Sequence, residues 1–468
     1  MGTVCLVHKH DSQSVNHQSA QACADASEFA QRETAVLEKL GISYLYPYQR
    51  LVIANVLDTL CNSDEEVIRG QIAILPTGFG KSICFQVPAL MVPGITIIVY
   101  PLKGLIADQA RRLMASSKPV VCITGDTDME TWKLFETACH TAADCIVLTN
   151  PESLHSEKFV SHIGNAPINH LVIDEAHCVA EWGDTFRQAY IMINEFIKKY
   201  NPKMVSAFTA TASPSVLKRI AYLIFDQIPY KLIITTTDRP NIYYQKVWSL
   251  NKNKTLKDLV TVCEKPALIF TRSRTSAEIL AHYLRIELQT TEIYFYHAGL
   301  TASEKKKVEA WYYASEQGIL TATCAYGMGM DKKNIRTVIH YDIPSSIEAY
   351  IQEAGRAGRD GAPAKAVLIA PWQAHTTIEP PVLQDISYDP AQTLVSLESN
   401  RSAQMRYYST EDTMCRRNLL LAMMGDEAVP CSGCDICDQK FNKYPLELEL
   451  LCSIIQAYSY QFSKHELI

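Results

Sequence analysis

The sequence predicts an α/β protein with two parallel-sheet lobes, followed by a small helical region that carries four cysteines. Short apolar runs repeatedly end in polar loops that lead towards helices, and this alternation is typical of a parallel sheet covered on both faces. The alternation pauses near residues 235–241 and then resumes, which indicates a second lobe with the same plan. A chain of 468 residues is long enough for such a multidomain arrangement.

The composition is that of an ordinary globular protein, with 47% hydrophobic and 20% charged residues. The net charge of −6 gives no general basic surface, so a nucleic acid would have to bind in a local groove. The most apolar stretch, residues 83–102, is interrupted by prolines, which favours a buried helix–turn–strand passage over a membrane span. Because the N-terminus lacks the long apolar run of a signal peptide, we expect reduced cysteines in a cytoplasmic protein.

Each expected strand is a short run of β-branched and other apolar residues. The expected strands cover residues 72–75, 95–100, 145–149, 171–174, 267–270, 293–296, 318–323 and 337–341. Helices are expected over 33–40, after Arg50, from Ser213-Pro214 onward and over 273–286. Thr301 and Glu304 have the spacing of a capping box, which predicts the start of a further helix.

A glycine-bearing turn follows the first predicted strand and precedes a helix. Such a turn points backbone N–H groups and a helix dipole at an anion, and a lysine there can reach the terminal phosphates of a nucleotide. Leu75 stands where the full phosphate-loop pattern has glycine, so a chance turn is the alternative interpretation. The candidate nucleotide-binding residues are Thr77, Gly78, Phe79, Gly80, Lys81 and Ser82.

A second apolar strand ends in two acids, in the sequence Leu171-Val-Ile-Asp-Glu-Ala-His177. A carboxylate at a strand end near the loop lysine can hold Mg²⁺ together with the Ser82 hydroxyl, which assigns this role to Asp174. Glu175 would then polarise the attacking water. Two halves of a nucleotide site in this order predict an NTPase.

Three further segments contain candidate functional residues, and each has a plainer explanation. Gln49 precedes a helix and can read a base edge with its amide, or be an ordinary surface residue. The aromatic segment 182–187 can stack on unpaired bases, or plug the edge of the sheet. Arg356 and Arg359, in the segment 352–361, are suited to meet a triphosphate as arginine fingers, or are solvated surface residues.

The four cysteines near the C-terminus follow the pattern Cys-x15-Cys-x2-Cys-x2-Cys. This spacing suits a closed tetrahedral Zn²⁺ site, and such a site would stabilise a small domain. Four reduced core cysteines are the alternative, but Pro430, Gly433 and Asp435 predict a turn. The candidate zinc ligands are Cys415, Cys431, Cys434 and Cys437.

Taken together, these motifs resemble the RecQ family of superfamily 2 DNA helicases, from about Leu37 to Cys437. The motifs are the phosphate loop ending at Ser82, Asp-Glu-Ala-His177, Trp182-Gly-Asp-Thr-Phe-Arg187, Thr209-Ala-Thr, Asp238-Arg-Pro-Asn241, Tyr296-His-Ala-Gly, Gly327-Met-Gly and Gln352 to Gly361. The resemblance implies two RecA-like lobes of the P-loop NTPase class, with a DEAH-type box, that use ATP to move 3′ to 5′ along one DNA strand. In this family the cysteine cluster belongs to a zinc-binding domain.

The resemblance also implies roles for individual residues. Gln49 would read adenine, Lys81 would contact the phosphates, and Ser82 and Asp174 would hold Mg²⁺. Glu175 would orient the attacking water. Arg356 and Arg359 would act at the γ-phosphate, and Gln352 of the same motif would be a further catalytic residue. His177 would couple hydrolysis to the aromatic segment, where Trp182, Phe186 and Arg187 would sense single-stranded DNA.

The sequence departs from the family pattern at several positions. Tyr46 stands where the family has an arginine, Phe79 where glycine is common, and Asp184-Thr185 replace the usual His-Asp. Only residues 445–468 follow the zinc-binding domain, so they are expected to begin a winged helix that is truncated or absent. We therefore expect altered DNA coupling, with ATP hydrolysis retained.

These observations predict five segments: a flexible tail (1–28), lobe 1 (29–235), lobe 2 (236–375), a zinc-binding domain (376–444) and the start of a winged helix (445–468). The predicted activity is ATP-dependent unwinding of duplex DNA in repair, recombination or replication. A translocase or strand annealer with little unwinding, a DNA-binding scaffold and an RNA helicase are the alternatives. Expected partners are single-stranded and tailed duplex DNA and a single-strand-binding protein; we expect a nucleoid-associated monomer without membrane contact.

Overall fold

The computed structural model describes residues 21–61, 68–76, 78–114, 118–141, 143–181, 184–226, 228–327, 332–372 and 394–457. Contacts between residues divide the chain into two compact units, Met1–Thr236 and Thr237–Ile468. Within the described ranges, no helix has both the length and the apolar character that a membrane crossing needs.

The first unit is built on a parallel sheet. Its strands are β1 (Gly70–Ile74), β2 (Ile95–Val99), β3 (Val120–Ile123), β4 (Cys145–Thr149), β5 (Ile168–Ile173), β6 (Met204–Thr209) and β7 (Tyr230–Ile234). They form a seven-stranded sheet in the order β3-β4-β2-β5-β6-β1-β7, and neighbouring strands run parallel. The order brings the end of β6 between the ends of β1 and β5, the strands that lead into the phosphate loop and the acid motif.

Two helices precede the first strand, and the others connect the strands. They are α1 (Gln21–Lys39), α2 (Pro47–Cys61), α3 (Ile83–Met91), α4 (Lys103–Leu113), α5 (Met129–Thr141), α6 (Pro151–Leu154), α7 (Glu157–Ile163), α8 (Cys178–Glu181), α9 (Asp184–Tyr200) and α10 (Pro214–Ile220), which continues as a π-helical turn over Ala221–Phe225. The strands β1, β2 and β4 are buried along their whole length, as parallel strands covered on both faces require. Their side chains pack with Phe85 of α3 and Ile106 of α4 in one core.

The second unit repeats the parallel plan. Its strands are β8 (Ile242–Ser249), β9 (Ala267–Phe270), β10 (Ile293–Tyr296), β11 (Ile319–Ala322), β12 (Thr337–His340) and β13 (Ala364–Pro371). The sheet order is β10-β11-β9-β12-β13-β8, again with parallel neighbours. The helices around it are α11 (Lys252–Val262), α12 (Arg274–Leu288), α13 (Ala302–Ala314) and α14 (Ile347–Ala354), with a 3₁₀ turn at Cys324–Gly327.

A helical region follows the second sheet and shares its core. It consists of α15 (Leu394–Thr410), α16 (Arg416–Met424) and α17 (Leu446–Ala457). Met405 of α15 and Leu419 of α16 pack in the same buried cluster as Tyr244 of β8 and Tyr350 of α14. The fold class predicted from the sequence, two parallel α/β sheets followed by a helical region with the cysteine cluster, is therefore confirmed.

Several local predictions are confirmed, and one helix differs from its prediction. Thr301 and Glu304 form the expected capping box at the start of α13, and α10 begins at Pro214 after Ser213. The helix expected over 33–40 is longer, because α1 begins at Gln21, within the segment expected to be a flexible tail. Residues 1–20, and residues 458–468 of the expected winged-helix start, lie outside the described part of the chain.

Candidate nucleotide site and cysteine cluster

The phosphate loop connects β1 to α3 as predicted. Gly78 has φ of 88° and Gly80 has φ of 71°, in the region that favours glycine. A Cβ at Gly80 would also lie 2.6 Å from the Gln49 amide nitrogen, so the close approach of the two chains requires glycine there. Ser82 precedes the first residue of α3. The predicted binding residue Thr77 lies outside the described residues.

Lys81 makes the central ionic contacts of this site. Its Nζ lies 2.7 Å from Glu175 Oε1 and 3.5 Å from Asp174 Oδ1. Burial disfavours the charged amine, but the two carboxylates outweigh it and raise the pKa of Lys81. Burial also raises the pKa of Asp174 to about 6, although Lys81 opposes that shift. The structure thus brings together the loop lysine and both acids that the sequence predicted.

The acid motif has a strained backbone at its second acid. Glu175 has φ of 49°, a conformation that costs about 1–3 kcal/mol for a residue with a side chain. Its N–H donates to Asp174 Oδ1 over 2.9 Å, and the N–H of Asp174 donates to the carbonyl of Val99 in β2. Both acids are therefore held at the carboxyl edge of the sheet, where parallel α/β folds bind ligands.

His177 joins the acid motif to the end of β6. Its Nδ1 lies 2.9 Å from Thr209 Oγ1 and 3.3 Å from Glu175 Oε2. The Thr209 hydroxyl in turn donates to the carbonyl of Thr211 over 2.9 Å. This chain of contacts links the acids to the small hydroxylated segment that follows β6.

Gln49 lies beside the phosphate loop and is almost fully buried. Its Oε1 accepts from the N–H of Tyr46 over 2.8 Å, and its Nε2 donates to the carbonyl of Phe79 over 3.0 Å. The amide that was expected to read adenine is thus bonded to the loop itself. No local sequence pattern indicated this contact, because the two residues come from separate elements.

A row of aromatic rings extends from the same loop. Tyr46 and Tyr48 stack with ring centroids 5.6 Å apart, and Tyr48 lies 5.7 Å from Phe79. The Tyr48 hydroxyl donates to the carbonyl of Phe79 over 3.0 Å. The Tyr46 side chain is 53% exposed and ends the stack in solvent with Tyr44. Tyr46 and Phe79 are two of the departures from the family pattern noted in the sequence. The alternating tyrosines were the sequence feature that could have indicated this aromatic surface.

A cavity of about 490 Å³ opens at the same edge of the first sheet, beside β2, β3 and β4. Its lining combines two lysines and one carboxylate with hydroxyls, an amide, a glycine backbone and one indole: Lys103, Lys158, Glu152, Thr124, Thr127, Ser153, Ser156, Asn150, Gly125 and Trp132. Lys158 Nζ lies 4.7 Å above the Trp132 ring. Sequence reasoning placed polar loops after these strands but assigned them no function.

The proposed DNA sensors are described only in part. Trp182 lies outside the described residues. Phe186 and Arg187 fall in α9, but the structure does not describe their side chains. Their sensing role therefore stays a prediction.

In the second unit, Gln352 belongs to α14, and Arg356 and Arg359 lie in the turn that follows it. Arg356 is buried and Arg359 is half-buried, which disfavours the alternative of freely solvated surface arginines. Their action on a phosphate stays a prediction.

The four predicted zinc ligands converge. The sulfur atoms of Cys415, Cys431, Cys434 and Cys437 all lie within 4.8 Å of one another. Cys415 Sγ and Cys434 Sγ are 3.9 Å apart, close to the separation of about 3.8 Å expected for thiolates around zinc at ~2.3 Å. The N–H of Cys437 also donates to Cys434 Sγ. Four soft sulfur donors at this separation fit Zn²⁺.

Comparison with family models defines the class of protein. A model of the DEAD/DEAH box helicase family matches residues 46–220, which include the phosphate loop and the acid motif. A model of the helicase conserved C-terminal domain matches residues 251–361, which include both arginines. The fold and the site are thus those of an ATP-dependent helicase core.

Comparison with individual proteins defines the family. The ATP-dependent DNA helicase RecQ of Pasteurella multocida is 30% identical over 453 residues, which cover 96% of this chain and 69% of the relative. RecQ of Bacillus subtilis is 32% identical over 369 residues, covering 78% of this chain and 61% of the relative. The chain belongs to the RecQ family of ATP-dependent DNA helicases. It spans about two thirds of the length of these relatives.

Two solved structures resemble the fold. Yeast Dbp5 bound to RNA and ADP BeF3 matches with a TM-score of 0.58 at 16% identity, over 74% of this chain and 89% of that chain. The DUF1998 helicase MrfA bound to DNA matches with a TM-score of 0.57 at 18% identity, over 79% of this chain and 54% of that chain.

Proposed function

We propose that the chain hydrolyses ATP as it moves 3′ to 5′ along single-stranded DNA, and that it unwinds duplex DNA in repair, recombination or replication. The observation that carries this proposal is the contact of Lys81 with Glu175 and Asp174 at the carboxyl edge of the sheet. Family membership supports DNA as the nucleic acid, because the relatives named above are DNA helicases.

Binding of ATP would rearrange these charges. The γ-phosphate would attract the Lys81 ammonium and replace its contact with Glu175. Glu175 would then be available to orient a water, and Asp174 with Ser82 would hold Mg²⁺ through the oxygen donors that this ion prefers. Before the nucleotide binds, the single positive charge of Lys81 offsets part of the negative charge of the two acids, which lowers the cost of burying them.

The second unit would complete the reaction. Arg356 and Arg359 would stabilise the charge that develops on the transferred phosphoryl group, with Gln352 positioned on the preceding helix. On the first unit, the adenine ring would stack on the exposed face of Tyr46, because aromatic faces bind nucleobases without desolvating a charge. Gln49 would read the base edge through an amide that also contacts the loop.

The cavity at the ends of β2, β3 and β4 would hold the DNA backbone. Lys158 and Lys103, which pairs with the exposed Asp126, supply positive charge, and the Thr124 hydroxyl can donate to phosphate oxygens. Glu152 lines the same cavity and accepts from the Asn150 amide. A local groove of this kind suits a chain whose net charge is −6. Trp182, Phe186 and Arg187 would report the bound strand to His177 and the acids.

The remaining assignments concern stability and cellular context. Zn²⁺ bound by the four cysteines would stabilise the helical region, because metal-binding free energy is also folding free energy in small domains. We also propose that the protein acts as a cytoplasmic, nucleoid-associated monomer on single-stranded and tailed duplex DNA, alongside a single-strand-binding protein.

The test is ATP turnover with and without single-stranded DNA, followed by unwinding of a 3′-tailed duplex with the same preparation. The proposal predicts strong stimulation and unwinding, with a 5′-tailed duplex as the matched control that stays annealed. Stimulation without unwinding would indicate a translocase or annealer instead. Stronger stimulation by a matched RNA oligomer would indicate an RNA helicase. ATP turnover that neither DNA nor RNA stimulates would contradict the proposal.

A further inference from the structure

The turn that carries Arg356 and Arg359 is held by its backbone carbonyls. Arg239 donates from Nη1 to the carbonyl of Gly355 over 2.9 Å, and from Nη2 to the carbonyls of Ala357 and Gly358 over 3.1 and 3.0 Å. One guanidinium thus binds the residues on both sides of Arg356 and the residue before Arg359. Its planar fork can make three such bonds at once, which a lysine ammonium on a flexible stem cannot reproduce.

Asn241 completes this arrangement two residues later. Its Nδ2 donates to the carbonyls of Gly358 and Ala362 over 2.9 and 2.8 Å. Gly358 has φ of 55°, and a Cβ there would lie 2.5 Å from Asn241 Nδ2. The turn can therefore approach Asn241 only because position 358 is glycine.

The segment that provides these donors, Thr237–Ile242, is itself bound by the cysteine-bearing region; we call it the bridging segment. Arg417, two residues after Cys415, is almost fully buried and pairs with Asp238. Arg417 also donates to the carbonyls of Arg239 and Ile242 over 3.0 and 2.6 Å.

Two further contacts hold the bridging segment from the same side. Asp426, after the end of α16, accepts from both the N–H and the hydroxyl of Thr237. The Ser432 hydroxyl, between two of the cysteines, donates to the carbonyl of Pro240 over 2.7 Å. The bridging segment thus contacts the arginine turn through the side chains of Arg239 and Asn241. It contacts the cysteine-bearing region through its backbone and the side chains of Thr237 and Asp238.

We propose that Arg239 is a positioning residue for ATP hydrolysis, which fixes the arginine turn, and that Arg417 holds Arg239 in place. The inference rests on the proposed function, in which Arg356 and Arg359 act on the phosphate. Catalytic groups lose effect steeply when they are displaced by about 1 Å, so loosening this turn lowers the catalytic rate. Phosphate binding by the first unit does not depend on Arg239.

The first test is Arg239→Lys, which keeps the charge and removes the fork. We expect the kcat of DNA-stimulated ATP hydrolysis to fall about tenfold to a hundredfold, with KM for ATP unchanged. The matched control is Arg285→Lys, because Arg285 also donates to a backbone carbonyl of the second unit, that of Ile293. Equal kcat values for the two variants would overturn the proposal.

The second test separates positioning from a general structural role. If Arg239 acts only through the two arginines of the turn, then Arg239→Lys in an Arg356→Ala/Arg359→Ala background should lower kcat by less than twofold. A full additional loss in that background would overturn the proposal. Normal turnover by the Arg356→Ala and Arg359→Ala variants would instead contradict the proposed role of those arginines, and the inference would fall with it.

The third test asks whether the contact of Arg417 with Asp238 holds the arginine turn, and its readout is not activity. Asp238→Asn removes the ion pair while keeping the shape of the side chain. Hydrogen exchange in residues 355–362 should become at least about tenfold faster, as it should in Arg239→Lys, because the Gly358 N–H bonds to the carbonyl of Ile335 only while the turn is held. Unchanged exchange there in both variants would overturn the proposal, and Arg285→Lys again serves as the control.

Discussion

The nucleotide site of the first unit and the arginine turn of the second are built in opposite ways. The side chains of Lys81, Asp174 and Glu175 make ionic contacts with one another, and in the proposed function a nucleotide with Mg²⁺ would replace those contacts. The arginine turn is held by hydrogen bonds to its backbone, which leave the charged groups of Arg356 and Arg359 to other partners. We therefore expect the first site to rearrange when a nucleotide binds and the arginine turn to keep its conformation.

Removing the loop lysine should break the first site most completely. We expect Lys81→Ala to lower ATP turnover by about a hundredfold to a thousandfold, because the phosphates lose the group that neutralises them. Loss of the amine also leaves the buried Asp174 and the half-buried Glu175 together without their counter-charge. The control is Lys198→Ala, which removes an exposed lysine paired with Asp226 over 2.9 Å. Near-normal turnover by Lys81→Ala, measured on folded protein, would contradict the site assignment.

Removing one cysteine should instead destabilise the helical region that holds the bridging segment and, through it, the arginine turn. Cys434→Ser should lower zinc content, measured by atomic absorption, and cost at least about 4 kcal/mol of unfolding free energy. Cys263→Ser is the matched control, because Cys263 lies outside the cluster and is half-buried. An unchanged zinc stoichiometry in Cys434→Ser would rule out the cluster as the metal site.

Lowering the pH should weaken Mg²⁺ binding at the nucleotide site of the first unit while the protein stays folded. Burial raises the pKa of Asp174 to about 6, so the carboxylate becomes protonated as the pH falls through that value. Mg²⁺ requires the ionised form, so its apparent affinity in the ATPase assay should fall between pH 7 and pH 5, by up to about tenfold per unit. Because the pKa of Asp174 is higher in the folded protein than in the unfolded chain, protonation of this carboxyl raises the free energy of unfolding as the pH falls.

A thermal melt at each pH is the control for that titration. The predicted result is a loss of Mg²⁺ affinity at pH values where the protein remains folded. Constant Mg²⁺ affinity from pH 7 to pH 5 would show that Asp174 is not the ligand that limits binding.

The sequence was informative wherever one short segment determines the structure. Short apolar runs identified β2, β4 and β9, and the spacing of Thr301 and Glu304 identified the start of α13. The phosphate loop and the acid motif were recognisable because each needs particular residue types at fixed spacing. The four cysteines were recognisable for the same reason.

Contacts between segments that lie far apart in the sequence were harder to predict. The bond from Gln49 to Phe79 and the bonds from Arg239 to the arginine turn depend on sheet order and loop path, which local patterns do not contain. Asp238-Arg-Pro-Asn241 was visible as a family motif, yet its role emerged only from the carbonyls it contacts. The length of α1 was missed because polar residues at a terminus resemble a tail.

The variant Glu175→Gln separates ATP binding from ATP hydrolysis at the nucleotide site. A neutral amide holds the Lys81 ammonium less tightly and cannot polarise a water, so the variant should bind ATP at least as tightly as the wild type. Its turnover should fall by about a hundredfold or more, with and without single-stranded DNA. Both quantities can be measured on one preparation, with a fluorescent ATP analogue and a phosphate-release assay. Turnover within twofold of the wild type would contradict the claim that Glu175 is released from Lys81 to activate water.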